Sequence, residues 1–365
     1  MKIECVKEKI QEAVSKAEKV TGKNLTLPIL SYIIFEATKD GLTIKATNLD
    51  VGVELTVQSK IIEEGKVAIP GSVFTALLSN LSDQKITLET KENTLTVTTA
   101  TSSTTIKTVS DEDFPLIPKE TDVTPFSMHS ESFLEGLKSV WYAAAVSSMK
   151  PELSSVFITT KDTDVVFVAT DSFRLAEKKQ KMKKPTEITD MLIPVKNIPD
   201  IIKILDGINE DIQVYVFDGQ MMVQTETILL ISRLVEGLFP DYEKIIPHED
   251  STTVSVLKKD FLHGLKTANI FSNKFNQINL LVDPTKNEFI CTTENSDVGE
   301  NTTKIEAKTQ GEKVELNFNY KYIVDSFQSI EDDSITLLFS GPTKPMIIKG
   351  VSGNNFLYLA MPMSK

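Results

Sequence analysis

The sequence has few of the residues that build metal centres and disulfide frameworks. It contains two cysteines, three histidines and one tryptophan in 365 residues. Cys5 and Cys291 are too few for a disulfide-rich scaffold, and the scattered His129, His248 and His263 do not have the spacing of a zinc site. We therefore interpret the two cysteines as small buried hydrophobic residues and expect neither a metal nor another cofactor.

A long apolar run is also missing, and the first residues lack the pattern of a secretory signal. The content of 41% hydrophobic and 25% charged residues is that of an ordinary folded protein. The length favours two or three domains. We expect a cytoplasmic protein with no membrane partner.

The usual catalytic motifs are absent from the sequence. There is no phosphate-binding P-loop, no G-x-G-x-x-G, no H-E-x-x-H and no G-x-S-x-G pattern. The run from Ser147 to Lys150 matches S-x-x-K, but a pattern this short arises by chance and no partner motif accompanies it. The sequence therefore favours a protein that is not an enzyme.

The most informative positive feature is a pattern that occurs three times at a fixed interval. Thr47, Thr170 and Thr293 each end an alternating apolar stretch, and successive threonines are 123 residues apart. Each stretch follows another apolar stretch and a polar turn, so each copy is predicted to be a β-hairpin. A second repeated pattern lies ahead of the second and third hairpins. It is Phe133-Leu134-Glu135-Gly136-Leu137-Lys138 in one copy and Phe261-Leu262-His263-Gly264-Leu265-Lys266 in the other.

A unit of this length has the size of a domain that folds on its own. The sequence therefore predicts three similar domains, at residues 1–120, 125–247 and 248–365. Helical spacing of apolar residues predicts a first helix in each domain, at about 6–20, 131–146 and 259–271, and a second helix at 72–81, 197–205 and 320–330. The predicted fold class is α+β, with two helices packed on an antiparallel sheet in each domain.

The charge of the chain is unevenly distributed. The formal net charge is −12, yet the first helices with their flanks, at 6–23, 133–150 and 258–274, carry +2, +1 and +3. This segregation is typical of a protein whose helices share a surface that faces a polyanion. An alternative, which the sequence supports equally, is that these are ordinary solvated helix faces.

Three segments depart from the repeat or from the usual polar chain end. Phe173-Arg174-Leu175 follows the second hairpin only, and Asp241-Tyr242-Glu243-Lys244 follows a Phe-Pro that also occurs at Phe114-Pro115. The last residues, Phe356 to Met363, are apolar, so we expect the terminus to be docked on the protein. Such a methionine-containing surface is typical of adaptable peptide-binding grooves.

These residues together resemble the bacterial DNA sliding clamp family, the beta subunit of the replicative DNA polymerase III. The resemblance covers the whole chain: three tandem repeats, Thr26-Leu27-Pro28-Ile29-Leu30, Ala169-Thr170-Asp171-Ser172-Phe173-Arg174-Leu175-Ala176, Phe239-Pro240-Asp241-Tyr242 and Met361-Pro362-Met363 occur in order. The alternative from another class is a three-domain scaffold or adhesin-like protein without a role on DNA.

The resemblance implies a homodimer whose protomers join head to tail into a closed ring around double-stranded DNA. Thr104, Ile106, Ile270 and Phe271 fall where the family forms this interface. The helices would line the hole, and their lysines would contact phosphates without reading sequence. The lysines that would face DNA are Lys7, Lys9, Lys16, Lys23, Lys138, Lys150, Lys196, Lys203 and Lys266.

The resemblance also implies a pocket for short linear motifs of the DNA polymerase catalytic subunit, the clamp loader, other polymerases and repair proteins. Its apolar residues would hold leucine and phenylalanine anchors of the peptide. The pocket residues would be Leu153, Thr170, Ser172, Phe173, Arg174, Leu175, Pro240, Lys244, Ile245, Leu359, Met361, Pro362 and Met363. Phe173 replaces a histidine and Lys244 an arginine of well-known members, so a somewhat different peptide preference is expected.

Overall fold

The computed structural model describes residues 1–22, 26–119, 122–147, 149–182, 188–353 and 355–364, and the fold is given for these residues. They contain six α-helices, two for each sequence repeat. The helices are α1 (Lys7–Val20), α2 (Gly71–Asn80), α3 (Ser130–Val140), α4 (Ile198–Leu205), α5 (Lys258–Asn269) and α6 (Tyr320–Ser326).

In each repeat one strand precedes the first helix, four or five strands lie between the two helices, and three strands follow the second helix. Those of the first repeat are β1 (Lys2–Val6), β2 (Tyr32–Thr38), β3 (Gly41–Thr47), β4 (Val51–Val57), β5 (Lys60–Glu63), β6 (Gly65–Pro70), β7 (Lys85–Lys91), β8 (Thr94–Thr98) and β9 (Ser103–Lys107). Those of the second are β10 (Phe126–His129), β11 (Ser155–Lys161), β12 (Asp164–Thr170), β13 (Arg174–Lys181), β14 (Met191–Pro194), β15 (Asp211–Phe217), β16 (Gln220–Gln224) and β17 (Ile228–Arg233). Those of the third are β18 (Thr252–Leu257), β19 (Gln277–Asp283), β20 (Glu288–Asn295), β21 (Gly299–Lys304), β22 (Ala307–Gly311), β23 (Val314–Asn319), β24 (Ser334–Phe339), β25 (Met346–Gly350) and β26 (Phe356–Ala360).

The predicted α+β class is confirmed, and every recorded strand pairing is antiparallel. Strands of consecutive repeats join into shared sheets. An eight-stranded sheet has the order β10-β15-β16-β17-β4-β3-β2-β6, and a nine-stranded sheet has the order β14-β11-β12-β13-β26-β25-β24-β18-β22. The two smaller sheets are β5-β1-β7-β8-β9 and β21-β20-β19-β23.

The chain packs as two compact units. One comprises Met1–Leu134 with Lys196–Leu234, and the other comprises Glu135–Val195 with Val235–Lys365. The first unit contains the eight-stranded and five-stranded sheets, and the second contains the nine-stranded and four-stranded sheets. The compact units therefore do not follow the sequence repeats one by one, because a sheet shared by two repeats places parts of both in one unit. The domain boundaries at 120–125 and 247–248 stay a prediction.

The repeated threonines have a structural reason in the first two copies. Thr47 Oγ1 donates to the carbonyl of Val51 at 2.9 Å, and Thr170 Oγ1 donates to the carbonyl of Arg174 at 2.6 Å. Each hydroxyl thus closes a tight turn from inside a buried position. The third copy differs, since Thr293 Oγ1 donates to the carbonyl of Ala268 in α5 at 2.8 Å.

The helices bury one face on the sheets, as their apolar spacing predicts. In α1 the buried residues are Ile10, Ala13, Val14, Ala17 and Val20. Packing also explains the glycine of the second repeated pattern, because a Cβ atom at Gly136 would lie 2.5 Å from the Phe167 ring. Gly264 is in the same situation, since its Cβ would lie 2.9 Å from Ile305. Both glycines let a helix approach the sheet closely.

Two predicted helices extend beyond the observed ones. The helix predicted at 320–330 ends at Ser326 and is followed by a 3-10 turn at Phe327–Ser329. The helix predicted to reach Val146 ends at Val140 and continues as a 3-10 turn at Trp141–Ala143. Tertiary contacts fix this turn: the Tyr142 hydroxyl lies 3.0 Å from Ser329 Oγ, and the Tyr142 ring stacks on Tyr358. The strand before each first helix, namely β1, β10 and β18, was also missed, because it pairs with a strand far along the chain, β7, β15 or β24, and not within a hairpin.

Candidate functional site

The turn between β12 and β13 is held by its own side chains. Asp171 Oδ1 accepts hydrogen bonds from the backbone N–H groups of Phe173 and Arg174, both at 2.9 Å. Ser172 has a φ of 76°, which places it in the left-handed region. The same arrangement occurs at Asn48 in the first repeat, where Asn48 Oδ1 accepts from Asp50 and Val51. The second repeat therefore uses an existing turn to present different side chains.

The phenylalanine of this turn is the prominent apolar group on its surface. Phe173 is 61% exposed, although its backbone is fixed on both sides. Its N–H donates to Asp171, and its carbonyl accepts from the N–H of Met361 at 2.8 Å. An exposed aromatic ring on a fixed backbone is suited to contact an apolar side chain of a partner.

The end of the chain is docked beside this turn, as the sequence indicates. Strand β26 pairs with β13, with Leu359 opposite Leu175 and Ala360 opposite Arg174. Beyond β26, the N–H of Met363 donates to the carbonyl of Asn317 at 2.8 Å. Met361, Pro362 and Met363 are each partly exposed, so they form a surface and do not fill the core.

Four predicted pocket residues lie below the surface. Leu153, Thr170, Leu175 and Leu359 are 7%, 5%, 1% and 2% exposed. Leu175 and Leu359 belong to an apolar cluster that the structure also builds from Val166, Val168, Tyr242, Leu338 and Ile347. Leu175 and Leu359 thus lie buried beneath the candidate site and form its floor.

Residues 240–245, which follow the second repeat, pack against the same cluster and form one wall of the candidate site. Tyr242 packs into it and donates its hydroxyl to Glu177 Oε2 at 2.7 Å, which anchors the 3-10 helix Tyr242–Ile245. Burial, followed by the adjacent carboxylate, raises the pKa of Tyr242 well above its ordinary value, so the hydroxyl stays a donor. On this 3-10 helix Ile245 is 47% exposed and Lys244 pairs with Asp241 at 2.7 Å. Pro240 is exposed just before it.

Arg174 is held by two carboxylates and does not extend into solvent. Its Nε lies 3.0 Å from Asp171 Oδ2, and its Nη1 lies 2.6 Å from Asp325 Oδ2. The guanidinium carbon is 4.7 Å from the centre of the Tyr322 ring, a cation–π distance. Burial by itself would lower the pKa of Arg174, but its polar neighbours, the carboxylates among them, hold the pKa above its ordinary value.

Sequence reasoning missed four residues that shape this site: Tyr242 as an anchor, Asn317 as the partner of Met363, and Tyr322 and Asp325 around Arg174. Tyr242 belongs to the Phe239-Pro240-Asp241-Tyr242 motif, but the motif did not show that its side chain is buried. Nothing in the local sequence of Asn317, Tyr322 or Asp325 connects them to a turn more than 140 residues earlier. Leu153, by contrast, was predicted for the site, and it lies in the turn before β11, where its carbonyl accepts from Ala145.

The predicted DNA-facing lysines fall into two groups. Lys9, Lys138, Lys150, Lys203 and Lys266 are exposed; Lys150 lies in the turn before β11 and the other four lie on helices. The second group is less exposed or ion-paired: Lys7 Nζ donates to the Leu81 carbonyl, Lys16 Nζ to the Asp206 carbonyl, and Lys196 pairs with Asp50 at 2.7 Å. Lys23 lies outside the described residues.

The predicted interface residues lie next to sheet edges. Thr104 and Ile106 are on β9, which within the described residues pairs on one side only, with β8. Ile106 is buried, with 6% of the residue exposed. Ile270, which follows α5, is 67% exposed, and Phe271 lies beside Gly299 at the start of the edge strand β21.

Over the described ranges, no His, Cys, Asp or Glu side chains form a group of three that could hold a metal ion. Likewise, among the helices that the structure describes, none is long and apolar enough to cross a membrane. Cys5 and Cys291 are free and buried, and burial raises the pKa of each thiol to about 12.

Three repeats of a helix pair on an antiparallel sheet, joined through shared sheets and ending in a docked C-terminal strand, define the DNA-clamp class of fold. The chain belongs to the DNA polymerase III beta subunit family. Models of the N-terminal, central and C-terminal domains of that family match residues 1–118, 127–241 and 243–364, in that order. The scaffold or adhesin-like alternative is not favoured by this match.

Known proteins agree with this assignment. The chain is 25% identical to a beta sliding clamp of Staphylococcus epidermidis over 356 residues, covering 94% of each chain, and 24% identical to that of Synechococcus elongatus, covering 100% of this chain and 99% of the other. Among solved structures, the DNA polymerase sliding clamp of Bacillus subtilis has a TM-score of 0.94 at 22% identity and covers 100% and 99% of the two chains. A sliding clamp of Pseudomonas aeruginosa bound to griselimycin has a TM-score of 0.95 at 20% identity and covers both chains fully.

Proposed function

We propose that this protein is a DNA sliding clamp that encircles duplex DNA and tethers a replicative polymerase to it. The observation that carries the proposal is the match of all three family domains, in order and over nearly the whole chain. Processivity by topological linkage needs no catalytic group, in keeping with the absence of catalytic motifs from the sequence.

The ring would consist of two copies joined head to tail. A strand that pairs on one side only has free backbone donors and acceptors, and β9 and β21 are such strands within the described residues. Contact between β9 of one copy and β21 of the other can be made twice in a closed dimer. The exposed Ile270 would contribute apolar area beside it.

Native mass measurement tests this arrangement. We expect a dimer near twice 40.6 kDa. Ile270→Asp should shift the mass towards the monomer because it places a charge in the apolar contact, whereas Val351→Asp, at a residue of similar exposure in another loop, should leave the dimer intact. A wild-type monomer at micromolar concentration would contradict the ring.

Sequence-independent attraction to DNA would come from the exposed helix lysines. Weak, salt-dependent contact with phosphates permits sliding, because it specifies no base. The engagement of Lys7, Lys16 and Lys196 within the protein leaves fewer lysines for phosphates than the sequence suggests. We therefore expect weak direct binding to DNA, with retention provided by the closed ring.

The discriminating experiment loads the protein onto nicked circular DNA with a clamp loader and then linearises the DNA. Retention on the circle and loss from the linear form are expected. Equal retention on both would show ordinary binding and contradict the clamp. Lys203→Glu should weaken the salt-dependent contact further, and Lys39→Glu, in the turn between β2 and β3, is the matched control.

Partner proteins would bind at the site formed by the 170–174 turn, the C-terminal segment 361–363 and the 3-10 helix Tyr242–Ile245. The exposed Phe173 ring, the exposed Ile245 and the partly exposed Met361 suit a short peptide with apolar anchors. A fluorescein-labelled peptide containing a Leu-Phe pair should bind, and the same peptide with both residues changed to alanine should not. Competition by griselimycin would place the peptide where that ligand binds a related clamp.

A further inference from the structure

The turn that carries Phe173 is connected to a helix of the third repeat through one arginine. Arg174 Nη1 contacts Asp325 of α6 at 2.6 Å, across 151 positions of sequence. Its Nε contacts Asp171, the residue whose other oxygen holds the N–H groups of the turn. The side chains of Arg174 and Asp171 are 11% and 14% exposed, so this part of the network is shielded from water.

The network leaves Arg174 little freedom to bind a partner directly. Two of its nitrogens are engaged by carboxylates, and its flat face lies over Tyr322. Charge-assisted hydrogen bonds of this length are stronger than neutral ones. Because the guanidinium group is planar and rigid, the arginine side chain loses less conformational entropy for each hydrogen bond that it forms. Arg174 is therefore better suited to hold the turn than to leave it for a ligand.

The 170–174 turn also holds the C-terminal segment. The carbonyl of Phe173 accepts the N–H of Met361, and the N–H of Met363 reaches Asn317, at the end of the strand that precedes α6. The contact from Asp325 to Arg174 and the contact from Met363 to Asn317 thus fix the site to neighbouring parts of the third repeat. This attachment holds both the turn and the C-terminal segment.

We propose that Asp325 is a positioning residue for the peptide site. Through Arg174 it fixes the 170–174 turn, which sets the orientation of the Phe173 ring and the position of Met361. The inference rests on the proposed peptide-binding function for its effect on affinity, but its effect on the turn is independent of any partner. The Asp325 side chain is 41% exposed, and its ion pair with Arg174 is the contact that joins it to the turn.

The test compares four variants of the full chain: Asp325→Asn, Asp325→Glu, Arg174→Ala and the double variant Arg174→Ala/Asp325→Asn. The matched control is Glu331→Gln, which removes one exposed carboxylate from the same repeat. The affinity of the fluorescein-labelled Leu-Phe peptide is measured by anisotropy. Amide hydrogen exchange of residues 360–364 is followed by mass spectrometry without any peptide.

Asp325→Asn should weaken peptide binding about 5- to 10-fold, the scale of one lost charge-assisted hydrogen bond at a partly exposed site. Asp325→Glu should restore most of the affinity, because it returns the carboxylate. In the Arg174→Ala background the Asn substitution should have no further effect, which a general loss of stability would not reproduce. Exchange at 360–364 should quicken in Asp325→Asn and stay unchanged in Glu331→Gln.

The outcomes separate this inference from the proposed function. If the wild-type protein does not bind the peptide, the peptide site is wrong, and the exchange experiment still tests the role of Asp325. If the wild-type protein binds and Asp325→Asn binds equally well with unchanged exchange, the positioning role is overturned. Additive effects of the two substitutions would also overturn it, since Asp325 would then act by another route.

Discussion

Replacement of Phe173 by alanine provides a direct test of the candidate site. The ring is 61% exposed, so the folded protein gains little from it, whereas a bound peptide would cover it. Full burial of a phenylalanine side chain contributes about 1.5–3 kcal/mol. Covering the exposed three-fifths of the ring therefore corresponds to about 1–2 kcal/mol, or about 5- to 30-fold in affinity.

We expect Phe173→Ala to reduce the affinity for a Leu-Phe peptide by this factor and to leave the melting temperature unchanged. Anisotropy titration measures the first quantity and thermal unfolding measures the second. Val351→Ala is the matched control, because Val351 is 60% exposed in the loop after β25 and should affect neither. The reasoning is refuted if peptide affinity of Phe173→Ala stays within twofold of wild type while the peptide binds specifically.

Leu175→Ala should lower the free energy of unfolding by about 2–5 kcal/mol in urea denaturation, because Leu175 is 1% exposed in the apolar cluster; an unchanged midpoint would contradict its burial. Gly136→Ala should cost about 1–3 kcal/mol in the same assay, since its Cβ would overlap the Phe167 ring, and a neutral effect would show that the ring can move. Cys5 and Cys291 should not react with a disulfide reagent at pH 8 until the protein is denatured, because burial raises both thiol pKa values to about 12 and removes the thiolate; rapid reaction of the native protein would contradict this.

The burial of Leu175 changes how site variants should be interpreted. The family resemblance implies that Leu175 lines the peptide pocket, so its replacement would be expected to abolish peptide binding and leave the dimer intact. In the structure it supports the floor together with Leu359 and Tyr242. A loss of binding in Leu175→Ala would therefore mix a local effect with lost stability, and Phe173 is the cleaner position.

Regularities that are local in sequence predicted much of the fold. Period-two stretches predicted the hairpins, and the apolar spacing of α1 predicted its buried face, because both depend on residues a few positions apart. The interval between Thr47, Thr170 and Thr293 predicted the three repeats. The hydroxyls of the first two close equivalent turns, so a local hydrogen bond explains the residue type there.

Only the tertiary structure decided which of the predicted residues are available to a partner. Whether Lys196 is free depends on Asp50, and whether Arg174 is free depends on Asp325, each more than 140 positions away in the chain. Such pairs form because parts of different repeats pack into one compact unit, an arrangement that no local pattern specifies. The sequence by itself determined the repeated units and the segment in which the site lies; the packing between repeats decided which side chains form its floor, which hold its turn and which remain exposed.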